Sequence, residues 1–413
     1  MWKSLLFSLY TLGIHAGNLF LFIGHYFSEK INLLYQGRQN TIKKCKNPSN
    51  LSEVVWIHCA SLGEFEQGRP LIEEIKKDYP ATKILLSFFS PSGYEIRKTY
   101  PFADEVIYLP SDLPCNAERL IHHYQPKSLI LVKYEFWWNL IRATQSHHIP
   151  IYAISAIFRP KDYFFKPILY PFKMLLSGFE CLFIQDQQSA QVLNHHKISN
   201  YQMVGDTRID RVISLSQISD VPKKIIDFIQ DRTTVIYGSI WNEDISVINT
   251  MVTTFPDFCH IIAPHDISSG HIETLRKNIL FTSSLYSDEY PDKQLLIINN
   301  IGILASLYKV ADYVYIGGGF GAGIHNILEP AVHGIPVFFG PQHKKFNEAV
   351  ELVQSDSAFA ITKPEEMTNQ IQQWQQQPDV LNTIAAQLQN YFGSNQGATQ
   401  KIIRHLGTIL EKT

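Results

Sequence analysis

The sequence lacks several short motifs that mark common nucleotide-using and hydrolytic enzymes. It contains no G-x-x-x-x-G-K-[ST], no H-E-x-x-H, no G-x-S-x-G and no D-x-D. The first absence argues against a P-loop nucleoside triphosphatase. The last removes the commonest sequence sign of a nucleotide diphosphate held through a metal ion.

Cysteine and net charge are also scarce. The five cysteines are scattered, odd in number and without a C-x-x-C pair, a pattern typical of a reducing compartment rather than of a disulfide framework or a zinc site. The formal net charge of −2 gives no support to nucleic-acid binding by the protein as a whole. With 45% hydrophobic and 18% charged residues, the 413-residue chain is globular and long enough for two or three domains.

A long apolar run is present only near the amino terminus. Leu5–Phe27 carries no formal charge and is long enough for a membrane-spanning helix, which needs about 20 apolar residues. The first 50 residues contain six lysines and arginines against one acidic residue, and most of them follow the apolar run. This arrangement favours a membrane anchor with the main body in the cytoplasm. The alternative is an amphipathic helix buried against the body.

The rest of the chain alternates short apolar runs with longer helical patterns. Such alternation is typical of βαβ units around a buried parallel sheet. A first series of predicted strands is Val54–His58, Lys83–Phe88, Glu105–Tyr108, Ser128–Val132, Ile151–Ile154 and Cys181–Ile184. A second series is Thr234–Tyr237, His260–Ala263, Leu295–Ile298, Tyr313–Ile316 and Pro336–Phe339. We predict an α/β fold with an anchor helix over residues 1–30 and two Rossmann-like domains over 31–205 and 206–413, the last helix of which could pack back on the first domain.

One candidate site follows the first predicted strand. There the chain reads Ser61-Leu62-Gly63-Glu64-Phe65-Glu66, with a tight turn at Gly63 and a helix beginning near Glu64. The carboxyl ends of parallel strands are where open α/β sheets bind ligands, so a carboxylate here could accept a proton from a hydroxyl. Acidic residues are also favoured in the first turn of any helix. These residues alone leave the two interpretations open.

A second candidate site is the glycine-rich segment 317–330, GGGFGAGIHNILEP. Five glycines in seven positions predict a backbone that approaches a ligand closely and offers N–H groups to an anion at the start of the next helix. Glu329 could accept hydrogen bonds from ribose hydroxyls. The pattern Gly317-x-Gly319-x-x-Ala322 imitates a dinucleotide fingerprint, but the acidic residue expected about 20 positions later is missing, which disfavours hydride transfer.

Four segments together resemble one family: SLGEF, VGDTRID, GSIWNED and GGG-x-G-x-G-I-H-N-I-L-E-P. They are similar to the Kdo transferases, which transfer 3-deoxy-D-manno-octulosonic acid (Kdo) from CMP-Kdo to a lipid A precursor. The resemblance implies a GT-B fold, in which an acceptor-binding and a nucleotide-sugar-binding domain face a cleft. It further implies inversion at the anomeric carbon, no metal cofactor, and a place on the cytoplasmic face of the inner membrane.

The resemblance also implies roles for individual residues. Glu64 matches the general base, Glu135 a second acidic position, and Arg208 a position where the family commonly has lysine. The matched CMP contacts are Pro264, His265, Gly302, Ile303, Leu304, Asn326, Ile327, Leu328 and Glu329.

The chain departs from the family at Pro264-His265-Asp266, where Pro-Arg-His is usual, and at Ile327 and Trp138, where proline is usual. The alternatives are a GT-B enzyme using another nucleotide sugar such as a UDP-sugar, a non-catalytic binding protein, and, for Glu135, a structural ion pair with Lys133.

Overall fold

A computed structural model describes residues 2–166, 169–218, 220–289 and 295–411. The chain divides into two compact units: Met1–Asp210 together with Gln396–Thr413, and Arg211–Asn395. The sequence analysis predicted a domain junction between residues 205 and 206, and those limits stay a prediction.

The first unit is built on a parallel sheet of seven strands. In chain order they are β1 (Val55–Cys59), β2 (Ile84–Phe88), β3 (Glu105–Tyr108), β4 (Ser128–Val132), β5 (Ile151–Ala156), β6 (Cys181–Ile184) and β7 (Tyr201–Met203). Its helices are α1 (Trp2–Gly24), α2 (Glu29–Lys44), α3 (Leu62–Asp78), α4 (Pro91–Arg97), α5 (Pro114–Tyr124), α6 (Trp138–Ser146), α7 (Tyr170–Leu176), α8 (Gln187–His195) and the start of α9 (Thr207–Ile218). The spatial order β3-β2-β1-β4-β5-β6-β7 reverses direction between β1 and β4.

The second unit repeats this plan. Its strands are β8 (Thr234–Ile240), β9 (Cys259–Pro264), β10 (Ser283–Leu285), β11 (Leu295–Ile297), β12 (Tyr313–Ile316), β13 (Val337–Phe339) and β14 (Ala358–Ala360), in the order β10-β11-β9-β8-β12-β13-β14. Its helices are α10 (Lys223–Ile229), α11 (Ile245–Thr254), α12 (Ser269–Asn278), α13 (Leu304–Leu307), α14 (Leu328–Ala331), α15 (Asn347–Gln354), α16 (Pro364–Gln376) and α17 (Asp379–Asn395). Here the order reverses between β8 and β12. In such sheets ligands bind at the carboxyl ends of the strands beside the reversal.

Both sheets are buried on both faces, which explains their continuous apolar strands. All five residues of β1 and of β4 are buried, and α3 packs on one face of this sheet. The last helix, α18 (Ala398–Leu410), belongs to the first unit and adds Ile402 and Leu406 to the same core. Asp210 fixes its start by accepting hydrogen bonds from the backbone N–H groups of Gly397 and Thr399.

Helix α1 is apolar and largely exposed. Its segment Leu5–Gly24 is long and apolar enough to cross a membrane and has no buried residue, so the alternative of a buried amphipathic helix is wrong. It contacts the body at Phe7, which lies edge-on to Trp138 at 5.4 Å, at Tyr10, whose hydroxyl donates to Asp112, and at Asn18, which accepts a hydrogen bond from Ser111. Arg38, which was expected in the basic flank, is buried instead and stacks on Phe89 at 4.5 Å.

A buried histidine in the second sheet makes stability depend on pH. His260 lies in β9, fully buried, with one ring nitrogen beside the Tyr237 hydroxyl and the other beside the Phe255 carbonyl. Burial is the main cause that lowers its pKa from 6.5 to about 4. Between these values the unfolded chain binds the proton and the folded chain does not, so the free energy of unfolding falls as the pH falls.

We predict that this one group removes about 2 kcal/mol of stability between pH 7 and pH 5. His260→Gln is less stable at neutral pH but loses that part of the pH dependence, as measured by urea unfolding at both pH values. An equal drop in the wild type and the variant would contradict the prediction.

Candidate active site

Glu64 lies directly after β1, at the reversal point of the first sheet. Helix α3 begins at Leu62, so Glu64 is in its first turn, half-buried, and accepts a hydrogen bond from the Ser61 hydroxyl. The neighbouring Glu66 is bound instead in ion pairs with Arg97 (3.0 Å) and Arg69 (3.6 Å). Glu66 therefore has a structural role in ion pairs on the helix surface. The partner of Glu64 is the neutral hydroxyl of Ser61.

Glu135 follows β4, the strand on the other side of the reversal point. Its Oε2 accepts a hydrogen bond from Trp137 Nε1 at 3.0 Å and lies 3.7 Å from His58 Nε2. These are its described contacts, so an ion pair with Lys133 is not what orients it.

His58 anchors this arrangement from the buried strand β1. Its Nδ1 lies 2.9 Å from the hydroxyl and 3.1 Å from the carbonyl oxygen of Ser87. Its Nε2 lies 3.2 Å from Trp137 Nε1, so the indole N–H is shared between His58 and Glu135. The Trp137 ring also stacks on Phe89 at 4.8 Å. Sequence reasoning gave His58 no role beyond structure or positioning and missed this contribution of Trp137.

Glu64 and Glu135 act on a common neighbour. Burial, followed by the charges of Glu64, Glu135 and Glu66, raises the pKa of the Cys59 thiol at the end of β1. Both predicted catalytic carboxylates therefore lie within electrostatic reach of one buried atom, as expected for residues that follow adjacent parallel strands.

Arg208 lies in the first turn of α9. Its guanidinium binds Asp206 Oδ2 through Nε (2.9 Å) and Nη2 (2.6 Å), which fixes its direction. The neighbouring Thr207 is buried and donates to the carbonyl of Gln67 at 2.6 Å. Because Gln67 is one turn beyond Glu64 on α3, this hydrogen bond ties the start of α9 to the helix that carries Glu64.

In the second unit, a buried carboxylate joins the two strands at the reversal point. Asp244 is fully buried just after β8. It accepts hydrogen bonds from the backbone N–H groups of Trp241 and Gly318 (both 3.0 Å) and from the Tyr315 hydroxyl (2.8 Å). Burial raises its pKa despite these three donors. Sequence reasoning missed Asp244, although it ends the GSIWNED segment that was noted.

The glycine-rich segment is explained partly by packing, and the approach of a ligand to its backbone stays a prediction. A Cβ at Gly317 would lie 2.5 Å from the Ser239 carbonyl, and one at Gly319 would lie 2.5 Å from the backbone of Gly340. Gly318 has φ +87°, and a Cβ there would meet the carbonyl oxygen of Gly323 at 2.4 Å. At Gly321 nothing lies closer than 3.7 Å, so packing gives no reason for glycine there.

The helix that follows the glycine-rich segment also differs from the anion-binding helix that was expected there. The next helix, α14, has four residues and begins only at Leu328. Asn326 caps this turn: its Oδ1 accepts from the Leu328 N–H at 3.1 Å, and its Nδ2 donates to Glu329 at 3.0 Å. The amide side chain thus holds the Glu329 carboxylate in place.

The remaining predicted contacts also follow strands of the second sheet. Pro264 is the last residue of β9, and the His265 N–H donates to the Ile240 carbonyl at the end of β8. Gly302 (φ +103°) and Ile303 precede α13, which begins at Leu304 after β11. The side chains of His265 and His325 stack at 4.5 Å, with Trp241 beside them. The predicted nucleotide contacts therefore follow β9, β11 and β12, three parallel strands of one sheet.

Comparison with known proteins points to the same family as the sequence motifs. A family model described as 3-deoxy-D-manno-octulosonic-acid transferase (kdotransferase) matches residues 30–211. A 3-deoxy-D-manno-octulosonic acid transferase of Aquifex aeolicus is 27% identical, covering 81% of this chain and 87% of its own. One of Haemophilus influenzae is 26% identical and covers 72% and 73%.

The chain is similar to Kdo transferases over most of its length. The predicted resemblance is thereby confirmed.

Solved structures agree on the fold. A UDP-GlcNAc 2-epimerase of Neisseria meningitidis superposes with a TM-score of 0.61 at 16% identity, over 87% of this chain and all of its own. This likeness and the two seven-stranded parallel sheets confirm the predicted GT-B class. With these sequence relatives, the chain is a glycosyltransferase.

The packing of the glycine segment yields a matched pair of variants. Gly318→Ala forces a side chain into a positive-φ position against the Gly323 carbonyl and should lower the free energy of unfolding by about 1–3 kcal/mol. Gly321→Ala, with open space around it, should change it by less than about 0.5 kcal/mol. Chemical denaturation of both variants provides the measurement, and equal effects would contradict this account of the loop.

Proposed function

We propose that this protein transfers Kdo from CMP-Kdo to a lipid A precursor in lipopolysaccharide synthesis, with inversion at the anomeric carbon. The similarity to Kdo transferases supports the reaction. The observation that carries the mechanism is Glu64: a half-buried carboxylate at the carboxyl end of β1, oriented by Ser61 and free of the ion pairs that engage Glu66.

Glu64 is the general base in this proposal. It takes the proton of an acceptor sugar hydroxyl as the hydroxyl oxygen bonds to the anomeric carbon of Kdo. The bond from that carbon to the phosphate oxygen breaks, and CMP leaves with the electron pair. General-base catalysis of this kind contributes about 10²–10⁴ in rate. Glu135, held by the shared Trp137 N–H, supplies the second negative charge, beside the oxocarbenium-like centre.

The leaving phosphate gains negative charge, which needs stabilisation by positioned donors. The second unit offers the loop Gly317–Gly323 and the side chains that follow β9 and β11. In this proposal Glu329, held by Asn326, accepts hydrogen bonds from ribose hydroxyls. Arg208 is the proposed cation that stabilises the negative charge of the transition state. Asp206 orients its guanidinium group. The proposal includes no metal.

The other nucleotide-sugar enzymes of this fold are not favoured, because the relatives named above are all Kdo transferases. Calorimetry with a nucleotide panel separates the two cases. CMP or CTP binds best under this proposal, and tighter binding of UDP would favour a UDP-sugar enzyme.

We predict that Glu64→Gln lowers transfer at least about 100-fold while CMP binding stays within twofold. The assay combines purified protein, CMP-Kdo and a tetra-acylated lipid A precursor, and mass spectrometry detects the product. Glu66→Gln is the control. It removes an equal charge two residues further along the same helix and should retain transfer. Near-normal turnover in Glu64→Gln would remove Glu64 from the role of base.

Because the proposed acceptor is a lipid, we further propose that α1 binds the cytoplasmic face of the inner membrane. Leu12, Leu19 and Phe20 are each at least 60% exposed, an apolar surface that suits hydrocarbon. Arg38 is buried and Lys44 pairs with Glu105, so the cations offered to anionic headgroups are the exposed Lys30, Lys43 and Lys46.

The double variant Leu19→Asp/Phe20→Asp tests this surface. It should weaken binding to phosphatidylethanolamine–phosphatidylglycerol vesicles at least tenfold, as measured by sedimentation, because two charges replace exposed apolar side chains. Leu280→Asp changes an equally exposed leucine of the second unit and should bind as the wild type does. Unchanged binding of the double variant would contradict the proposal.

A further inference from the structure

Three aromatic rings meet at the reversal point of the second sheet. The rings of Trp241 and His325 are nearly parallel, with an interplanar angle of 11° and centroids 6.3 Å apart. The His265 ring stacks against both, 4.4 Å from Trp241 and 4.5 Å from His325. This chain therefore has a neutral aromatic cluster where the resemblance would place an arginine at position 265.

A hydrogen bond within the cluster fixes the tautomer of His325. Trp241 Nε1 lies 2.9 Å from His325 Nε2. An indole N–H can only donate, so Nε2 is the acceptor and the ring hydrogen of a neutral His325 is on Nδ1. Burial, together with the charge of His265, lowers the pKa of His325 to about 4. The ring is thus neutral at cytoplasmic pH and offers one N–H donor.

The backbone around the cluster holds both partners of this hydrogen bond. Asp244 fixes the Trp241 N–H and the Gly318 N–H together. The His325 N–H donates to the Gly317 carbonyl, and a Cβ at Gly318 would lie 3.2 Å from the His325 ring. Glycine at 318 therefore also makes room for the His325 ring.

We propose that Trp241 is a positioning residue that presents His325 as a neutral Nδ1–H donor to a phosphate oxygen of the bound nucleotide. The position is that of a phosphate in doubly wound folds, at the reversal point and beside a glycine-rich loop. The His265 ring stacks against both rings. A neutral N–H group can donate a hydrogen bond to phosphate without carrying a positive charge. Two exposed acidic residues lie close to the cluster in sequence: Asp266, next to His265, and Glu243, two residues after Trp241. This inference rests on the proposed function, because it takes the ligand to be CMP.

The test uses the full-length protein and three variants. Trp241→Phe keeps a ring for stacking and removes the donor, Trp241→His returns an N–H donor, and Trp374→Phe alters a buried tryptophan elsewhere in the same unit. Long-range ¹H–¹⁵N spectra of the histidine side chains report the His325 tautomer. Calorimetry with CMP and with cytidine isolates the phosphate contact.

We expect Trp241→Phe to shift His325 away from the pure Nδ1–H form and to weaken CMP about tenfold but cytidine less than twofold. Trp241→His should recover most of the CMP affinity, and Trp374→Phe should change neither spectrum nor CMP affinity. An unchanged tautomer in Trp241→Phe, or equal losses for CMP and cytidine, would overturn the inference. If the wild type does not bind CMP, the proposed function fails, while the spectra still test whether Trp241 sets the tautomer.

Discussion

The second unit depends on the hydrogen bonds that Asp244 accepts. This buried carboxylate ties the end of β8 to the glycine-rich loop after β12 through two backbone N–H groups and the Tyr315 hydroxyl. Removing one partner of a buried charged hydrogen bond leaves unsatisfied groups and costs several kcal/mol. Asp244 holds the backbone of Trp241 and Gly318, and Trp241 in turn donates a hydrogen bond to His325. In the first unit, the side chains of His58 and Trp137 hold the carboxylate of Glu135 in a similar way.

The sequence was sufficient for the positions of the central strands of each unit and for the position of Glu64 after the first strand. Buried parallel strands are continuous apolar runs, so β3, β4, β6 and β12 were predicted with their observed limits. The edge strands β7, β10 and β14 were missed, because three residues with mixed burial give no periodic signal. The start of α3 was predicted near Glu64 and is observed at Leu62. The prediction was close because an apolar strand, a turn with glycine and an acidic first helical turn follow one another in the sequence.

Side-chain networks could not be predicted, because they join residues far apart in the chain. Nothing in a sequence pairs Asp244 with Gly318, or His58 with Ser87 and Trp137. The glycines show the same limit. Their number indicated a special backbone, but only coordinates separate Gly317, Gly318 and Gly319, which the packing requires, from Gly321, which it does not. The unusual His265 likewise acquires a reason only beside Trp241 and His325.

The central claim is that the carboxyl edge of the second sheet binds the nucleotide of the sugar donor. The most direct measurement is a crystal structure of the protein with CMP. The account predicts CMP beside the loop Gly317–Gly323, with its ribose at Glu329 and its phosphate in contact with His325. CMP bound elsewhere on the protein, with that edge of the sheet occupied only by solvent, would contradict it.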